Sequence, residues 1–274
     1  MMLPTEDAAW VGRELARRFG LPLWSFTLSG TDSNRWALRI ARLVTGRSKV
    51  LAFAYGYHGT VDETFVVADS NGNAVARPGN VGPPVPLSET TRVAEFNDLA
   101  GVERALSHGD VAAIITEPAL TNIGIVLPET GFLTGLQELA AKYGALLVID
   151  ETHTISAGAG GVTRLEGLKP DIVTIGKSLG GGVPAGAYGI TEEVAARVAS
   201  HPEADLIDVG GVGGTLAGNA LSVAAMRATL QEVLTEAAFE QMIERAAEFE
   251  AGVQGVIESS GVTWSVNRLG ARVE

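Results

Sequence analysis

The strongest constraint on the fold is a set of short, unbroken apolar runs separated by amphipathic stretches. Val111 to Thr116, Ala145 to Ile149 and Asp171 to Ile175 each have strand length, and Ala187 to Ile190 reads as a shorter one. A helical pattern from about Glu129 to Tyr143 lies between the first two. Strands apolar on both faces and alternating with helices predict an α/β protein with a mostly parallel central sheet and helices on both faces. Upstream, Thr5, Glu6 and Asp7 open a helix carrying Val11, Leu15 and Phe19 on one face, and Gly20 closes it. The stretch Trp24 to Leu28 is strand-like and runs into Ser29-Gly-Thr-Asp-Ser-Asn34. A second helix follows to Gly46, burying Trp36, Ile40 and Val44 and turning Arg35, Arg39 and Arg42 outward; Lys49 to Ala54 reads as a buried strand. Asn71 to Thr91, rich in Gly, Pro and Asn, is expected to be a long surface loop. Two helices, Leu216 to Leu234 and Ala237 to Ser259, close the pattern, the latter with Phe239, Ile243, Ala246, Phe249, Val253 and Val256 at helical spacing.

Composition removes several function classes. The absence of cysteine excludes thiol catalysis, disulfides and thiolate metal sites. A net charge of −12 has the wrong sign for a nucleic-acid partner. No apolar run is long enough for a membrane span, and the first residues lack the regions of a secretory signal, so a cytoplasmic protein is expected. His58, His108, His153 and His201 show no metal-binding spacing, and no metal is expected. No G-x-G-x-x-G joins a strand to a helix, which disfavours a dinucleotide fold; Gly180 to Gly182 runs into Val183 and Pro184.

In open parallel sheets ligands bind beyond the carboxyl ends of the strands. Asp150 directly follows one apolar run and Lys177 another, so an acid and an amine are expected at the same sheet edge. Gly30 and Thr31 stand at a strand-to-helix junction, where free N–H groups favour phosphate, and Tyr57, His58 and Gly59 follow another strand. Carboxylate, amine, phosphate cradle and aromatic ring together suit pyridoxal phosphate. Singly, each has a plainer reading: a solvated lysine, a helix-capping aspartate, a rim tyrosine, a turn before a helix.

Six segments carry a resemblance: S-G-T-D-S-N, Y-H-G-T, T-E-P-A-L-T-N-I-G, D-E-T-H-T, G-K-S-L-G-G-G-V-P-A-G-A-Y-G and G-G-T-L-A-G-N. In this order they resemble the class III aminotransferases, of fold type I, closest to the branch of glutamate-1-semialdehyde aminomutase and β-amino-acid transaminases. The resemblance implies pyridoxal 5′-phosphate as cofactor and Lys177 as the lysine that condenses with it and shuttles protons. It implies that Asp150 pairs with the pyridine nitrogen, Tyr57 stacks on the ring, and Gly30 and Thr31 hold the phosphate. His58, beside Tyr57 in the Y-H-G-T motif, is implied to belong to the cofactor-binding residues. Thr152 replaces a ring-packing valine, and His153 stands where many members carry a glutamine bonded to the ring hydroxyl; a histidine packed under a loop is the alternative. Glu117 is expected to support the Asp150 region. Asn122 replaces the gateway glutamate of many ω-amino-acid transaminases. Thr215 matches the threonine that reaches the neighbouring subunit's cofactor phosphate, which implies a homodimer.

The resemblance also implies that residues 1–260 form the cofactor-binding large domain without its usual N-terminal segment, and that 261–274 begin a truncated small domain. Three activities follow: transamination between an amino acid, possibly a β-amino acid in type, and a 2-oxo acid; an intramolecular aminomutase reaction; or a cofactor-binding module without turnover. Cofactor binding with weak turnover is the expectation for this chain.

Overall fold

A computed structural model describes residues 4–201 and 211–274. Seven strands form the central sheet: β1 (Leu23–Thr27), β2 (Lys49–Phe53), β5 (Thr91–Ala94), β6 (Val111–Thr116), β7 (Leu146–Asp150), β8 (Ile172–Ile175) and β9 (Gly186–Ile190). A two-stranded hairpin, β3 (Val66–Ala68) and β4 (Ala74–Ala76), stands apart. The order across the large sheet is β1-β9-β8-β7-β6-β2-β5. All neighbours run parallel except β9, which is antiparallel to both β1 and β8. That double reversal gives β1 the same direction as β8, β7, β6, β2 and β5, so these six strands point their carboxyl ends to one edge.

Side-chain alternation explains why both faces are covered. Leu51, Phe53, Ile114, Leu147, Ile149, Val173 and Ile175 feed one core, which also takes in Val11, Leu15 and Phe19 of helix α1 (Glu6–Phe19). Val50, Ala52, Ala113, Ile115, Val148 and Ile172 feed the other, against Ala37, Leu38, Ile40 and Ala41 of helix α2 (Gly30–Thr45). A period of two with apolar residues at every position leaves no solvated face. The caps are those the sequence predicts. The Thr5 hydroxyl accepts from the Ala8 N–H, and Gly20 ends α1 at φ 76°. Ser29 caps α2 by accepting from the Asp32 N–H at 3.1 Å.

Arg18 ties α1 to the far end of the chain. It is 3% exposed; its guanidinium pairs with Glu14 and donates to the carbonyls of Leu230 and Leu234 at 2.9 and 2.8 Å. Those carbonyls belong to a π-helical turn, Thr229–Val233, and to the residue that caps it. The turn follows a helix, Ala220–Ala228, that begins four residues later than Leu216.

One further expectation needs correction. Asn71 to Thr91 is not simply a loop: it holds β4, a helical turn at Leu87–Thr90 and the first residue of β5. Asp69 organises the hairpin turn by accepting from the N–H groups of Asn71 and Asn73, both at 2.8 Å. A helix at Leu99–Leu106, capped by Asp98, also escapes the pattern reading. On the C-terminal helix, Glu236–Ser260, Phe239 and Ala246 are buried, whereas Phe249 and Val256 are 61% and 64% exposed. Its helical period is real, but half of the stripe faces outward. Beyond it a short hairpin, Arg268–Leu269 with Arg272–Val273, folds back so that the Ala271 N–H donates to the Ser156 carbonyl. Among the described residues no helix is long and apolar enough to cross a membrane.

Candidate active site

Because six strands share a direction, the residues after five of them (β1, β2, β6, β7 and β8) converge on a cavity of about 340 Å³. Gly30, Thr31, Tyr57, Asp150, Thr152, His153 and Lys177 all line it. His58 lies underneath, 1% exposed, with Nδ1 3.0 Å from Asp150 Oδ2. Thr215 is exposed and is not among the residues lining the cavity.

Asp150 ends β7 and is 2% exposed. Its Oδ2 accepts from His58 and from Asn34 Nδ2 at 2.7 Å, and its Oδ1 accepts from the Thr152 N–H at 3.0 Å. A carboxylate offers about four acceptor sites, so one site on Oδ1 stays open. Burial pushes the carboxyl pKa up, but the hydrogen bond and charge of His58, with the Thr152 N–H, outweigh it and hold Asp150 below its ordinary value. The cavity is therefore floored by an ionised carboxylate.

Lys177 leaves β8 through Gly176 and has a left-handed backbone, φ 46°. Its Nζ stands 6.0 Å from the centre of the Tyr57 ring. The side chain is exposed.

The opposite wall is the amino end of α2. Ser29, Gly30 and Thr31 line the cavity there, at the end where unpaired N–H groups and the helix dipole favour an anion. Close backbone approach shapes this wall. A methyl group at Gly176 would lie 2.6 Å from the Gly30 nitrogen, and one at Gly59 would lie 2.1 Å from the Thr31 hydroxyl. The Thr152 hydroxyl is buried and has no hydrogen-bond partner. An orphaned hydroxyl, an open carboxylate site and a glycine-lined helix terminus fit the donors and acceptors of pyridoxal phosphate.

Glu117 does not support Asp150, contrary to expectation. Its Oε1 accepts from the Tyr57 N–H at 3.2 Å, and its Oε2 takes a short hydrogen bond from the Thr121 hydroxyl. That hydroxyl also meets His153 Nδ1. With Thr121 donating to Glu117, His153 must donate from Nδ1. His153 Nε2 is then the ring atom left to face a ligand, with Glu117 3.5 Å from Nδ1.

Asn34 is the functional residue that pattern reading missed, although it lines the cavity. The available signal was a polar residue on the apolar face of α2, in step with Leu38 and Ala41.

Comparison with known proteins agrees with this architecture. The family description "Aminotransferase class-III" matches residues 1–272. A glutamate-1-semialdehyde 2,1-aminomutase of Anaeromyxobacter sp. (strain Fw109-5) is 38% identical over 249 residues, covering 90% of this chain and 56% of that protein. A solved glutamate-1-semialdehyde-aminomutase from Pseudomonas aeruginosa PAO1, in complex with PMP, is 49% identical with a TM-score of 0.96, covering 100% of this chain and 61% of that one. An omega-transaminase from Sphaerobacter thermophilus is 30% identical with a TM-score of 0.86, covering 98% and 63%. The chain thus spans somewhat under two thirds of these relatives. With a family match along nearly its whole length, and a sheet edge that gathers the motif residues around one cavity, the chain belongs to the class III aminotransferases.

Proposed function

We propose that this chain binds pyridoxal 5′-phosphate in the cavity and serves amino-group transfer. The observation that carries the reading is the meeting of Asp150, Lys177 and the α2 amino end around one cavity, with an acceptor site of Asp150 left open. When bound, the cofactor supplies an electron-withdrawing ring that stabilises negative charge on the carbon bearing the amino group. Ser29, Gly30 and Thr31 would hold the phosphate. Asp150 would keep a proton on the ring nitrogen, since an ionised carboxylate favours the cationic form of its partner. Tyr57 and Thr152 would bracket the ring, and Lys177 would carry the amine that links to the cofactor and moves the proton. His153 would stand beside the ring hydroxyl.

The likeness to aminomutases, with Asn122 in place of a gateway glutamate, favours intramolecular transfer of an amino group. Transamination of an amino acid, including a β-amino acid, with a 2-oxo acid is the second reading, favoured by the likeness to the omega-transaminase. The exposed position of Thr215 supports a homodimer in which it serves the neighbouring site. The reading also admits a module that binds cofactor without turnover, since the chain spans only part of its relatives.

The test is to load the purified chain with pyridoxal phosphate and follow amine movement with and without an added 2-oxo acid. Turnover without acceptor supports the aminomutase reading, and dependence on the acceptor supports transamination. A saturable visible spectrum without turnover leaves the binding module. Failure to bind the cofactor would overturn the proposal altogether.

A further inference from the structure

Asp150 sits at a strand end, where its carboxylate can rotate unless something holds it. No lysine or arginine is bonded to it among the described residues. Besides His58 the holding side chain is Asn34, one turn into α2 and 1% exposed. Its Nδ2 donates to Asp150 Oδ2 at 2.7 Å and to the His58 carbonyl at 3.1 Å. Its Oδ1 accepts from the Thr174 hydroxyl at 2.6 Å. Both amide hydrogens thus meet acceptors, and the amide oxygen meets a donor. A flipped amide would set its oxygen against a carboxylate and a carbonyl, so the orientation is forced. One side chain thereby fastens α2 to β7, to β8 and to the loop after β2. Asparagine is unfavourable inside a helix, and a buried amide is costly unless every group is paired. An apolar residue would pack here more simply.

We propose that Asn34 is a positioning residue that locks the Asp150 carboxylate in place through a neutral donor, leaving the open site of Oδ1 for the ring nitrogen. The role at the ring rests on the cofactor reading above. The Asn34–Asp150 coupling is a property of the protein alone, and the two can be tested separately.

Asn34→Asp sets a second carboxyl 2.7 Å from Asp150. Two carboxylates so close share one proton. In the protonated form the new carboxyl can still donate to Asp150; once ionised it repels it. Folded-state proton affinity is raised, so stability is greatest at low pH and is lost as pH rises through the shared pKa. The other titratable groups facing Asp150 are His58, in contact, and Lys177, His153, Glu117 and Tyr57 around the same cavity. They are common to wild type, the single variant and the exchanged pair.

Thermal unfolding of the cofactor-free chain between pH 5 and pH 8 gives the first readout. The gap between wild type and Asn34→Asp should widen by about 5–10 °C over that range. Exchanging the pair, Asn34→Asp with Asp150→Asn, restores one carboxylate and one amide and should abolish the widening. The second readout is pyridoxal phosphate affinity. For Asn34→Asp it should fall about tenfold or more relative to wild type as pH rises, whereas the exchanged pair should bind weakly throughout.

A single variant that folds at neutral pH only when joined to Asp150→Asn is the extreme form of the expected result. A gap that does not change with pH, or that survives the exchange, overturns the proposal. Should wild type fail to bind pyridoxal phosphate while the exchange still cancels the pH effect, the coupling stands and the cofactor reading falls.

Discussion

Gly176→Ala tests whether the approach of β8 to α2 builds the site. The φ of Gly176, −143°, lies outside the left-handed region, and the penalty considered is one of space. The added methyl group would lie 2.6 Å from the Gly30 nitrogen and 2.8 Å from the Gly30 Cα. Ordinary carbon contacts begin near about 3.5 Å, so a gap approaching 1 Å must be opened. Both obstructing atoms are backbone, at the first residue of a helix packed along its length against the sheet, and cannot swing aside. Overpacking costs about 1–3 kcal/mol, and the upper part of that range applies here. For a chain of this size that is a fall of roughly 5–10 °C in melting temperature. The same displacement would separate Ser29, Gly30 and Thr31 from Lys177, so pyridoxal phosphate affinity should fall further than the stability loss implies. Gly12→Ala is the control, because a methyl group there meets nothing within 4 Å and improves helix propensity in α1. Thermal unfolding of the cofactor-free chain and a cofactor titration are the assays. A Gly176→Ala variant that melts and binds like wild type would refute the reasoning.

Three other outcomes are expected. Lys177→Ala should abolish the visible absorption that wild type develops with pyridoxal phosphate, and an unchanged spectrum would remove Lys177 from its role. Arg18→Met strands the Leu230 and Leu234 carbonyls, while Glu14 keeps Arg17 as its partner; about 2–4 kcal/mol should be lost in urea unfolding, and a loss under about 1 kcal/mol would mean the π-helical turn does not depend on it. Asp110, bonded by Arg92 and also paired with Lys49, has its pKa drawn down to about 2. Its stabilisation is therefore present above the ordinary value of 3.8 and disappears as pH falls toward 2. Asp110→Asn should be less stable than wild type at pH 5, by under about 1 kcal/mol for so exposed a pair. That difference should shrink at pH 3, and a constant difference would contradict the linkage.

Much of this architecture was legible because burial on both faces leaves a plain mark. The run Val111 to Thr116 is β6 residue for residue, and the neighbouring runs fall within a residue of β7 and β8. Caps at Thr5 and Gly20 were equally plain, since each stands for one backbone requirement. Direction was not legible. An apolar run reads the same either way, so the antiparallel course of β9 emerged only with its partners. β3 and β4 were missed because three residues of small, half-exposed side chains carry no period. At the site, residue types following strands were enough to name Asp150, Lys177 and Tyr57. Their partners were not, because a hydrogen bond such as Asn34 to Asp150 spans 116 positions. Glu117 was assigned to the wrong neighbour for the same reason.

The left-handed backbone of Lys177 has a consequence for how such a protein can change. A side-chain-bearing residue gives up roughly 1–2 kcal/mol in that conformation, and only glycine adopts it freely. Lys177→Gly is therefore the substitution that would relax the chain locally while removing the amine. On the proposal that Lys177 carries the reacting amine, selection for heat resistance alone would drift toward inert protein at this position, and any thermostability screen should be paired with a cofactor readout.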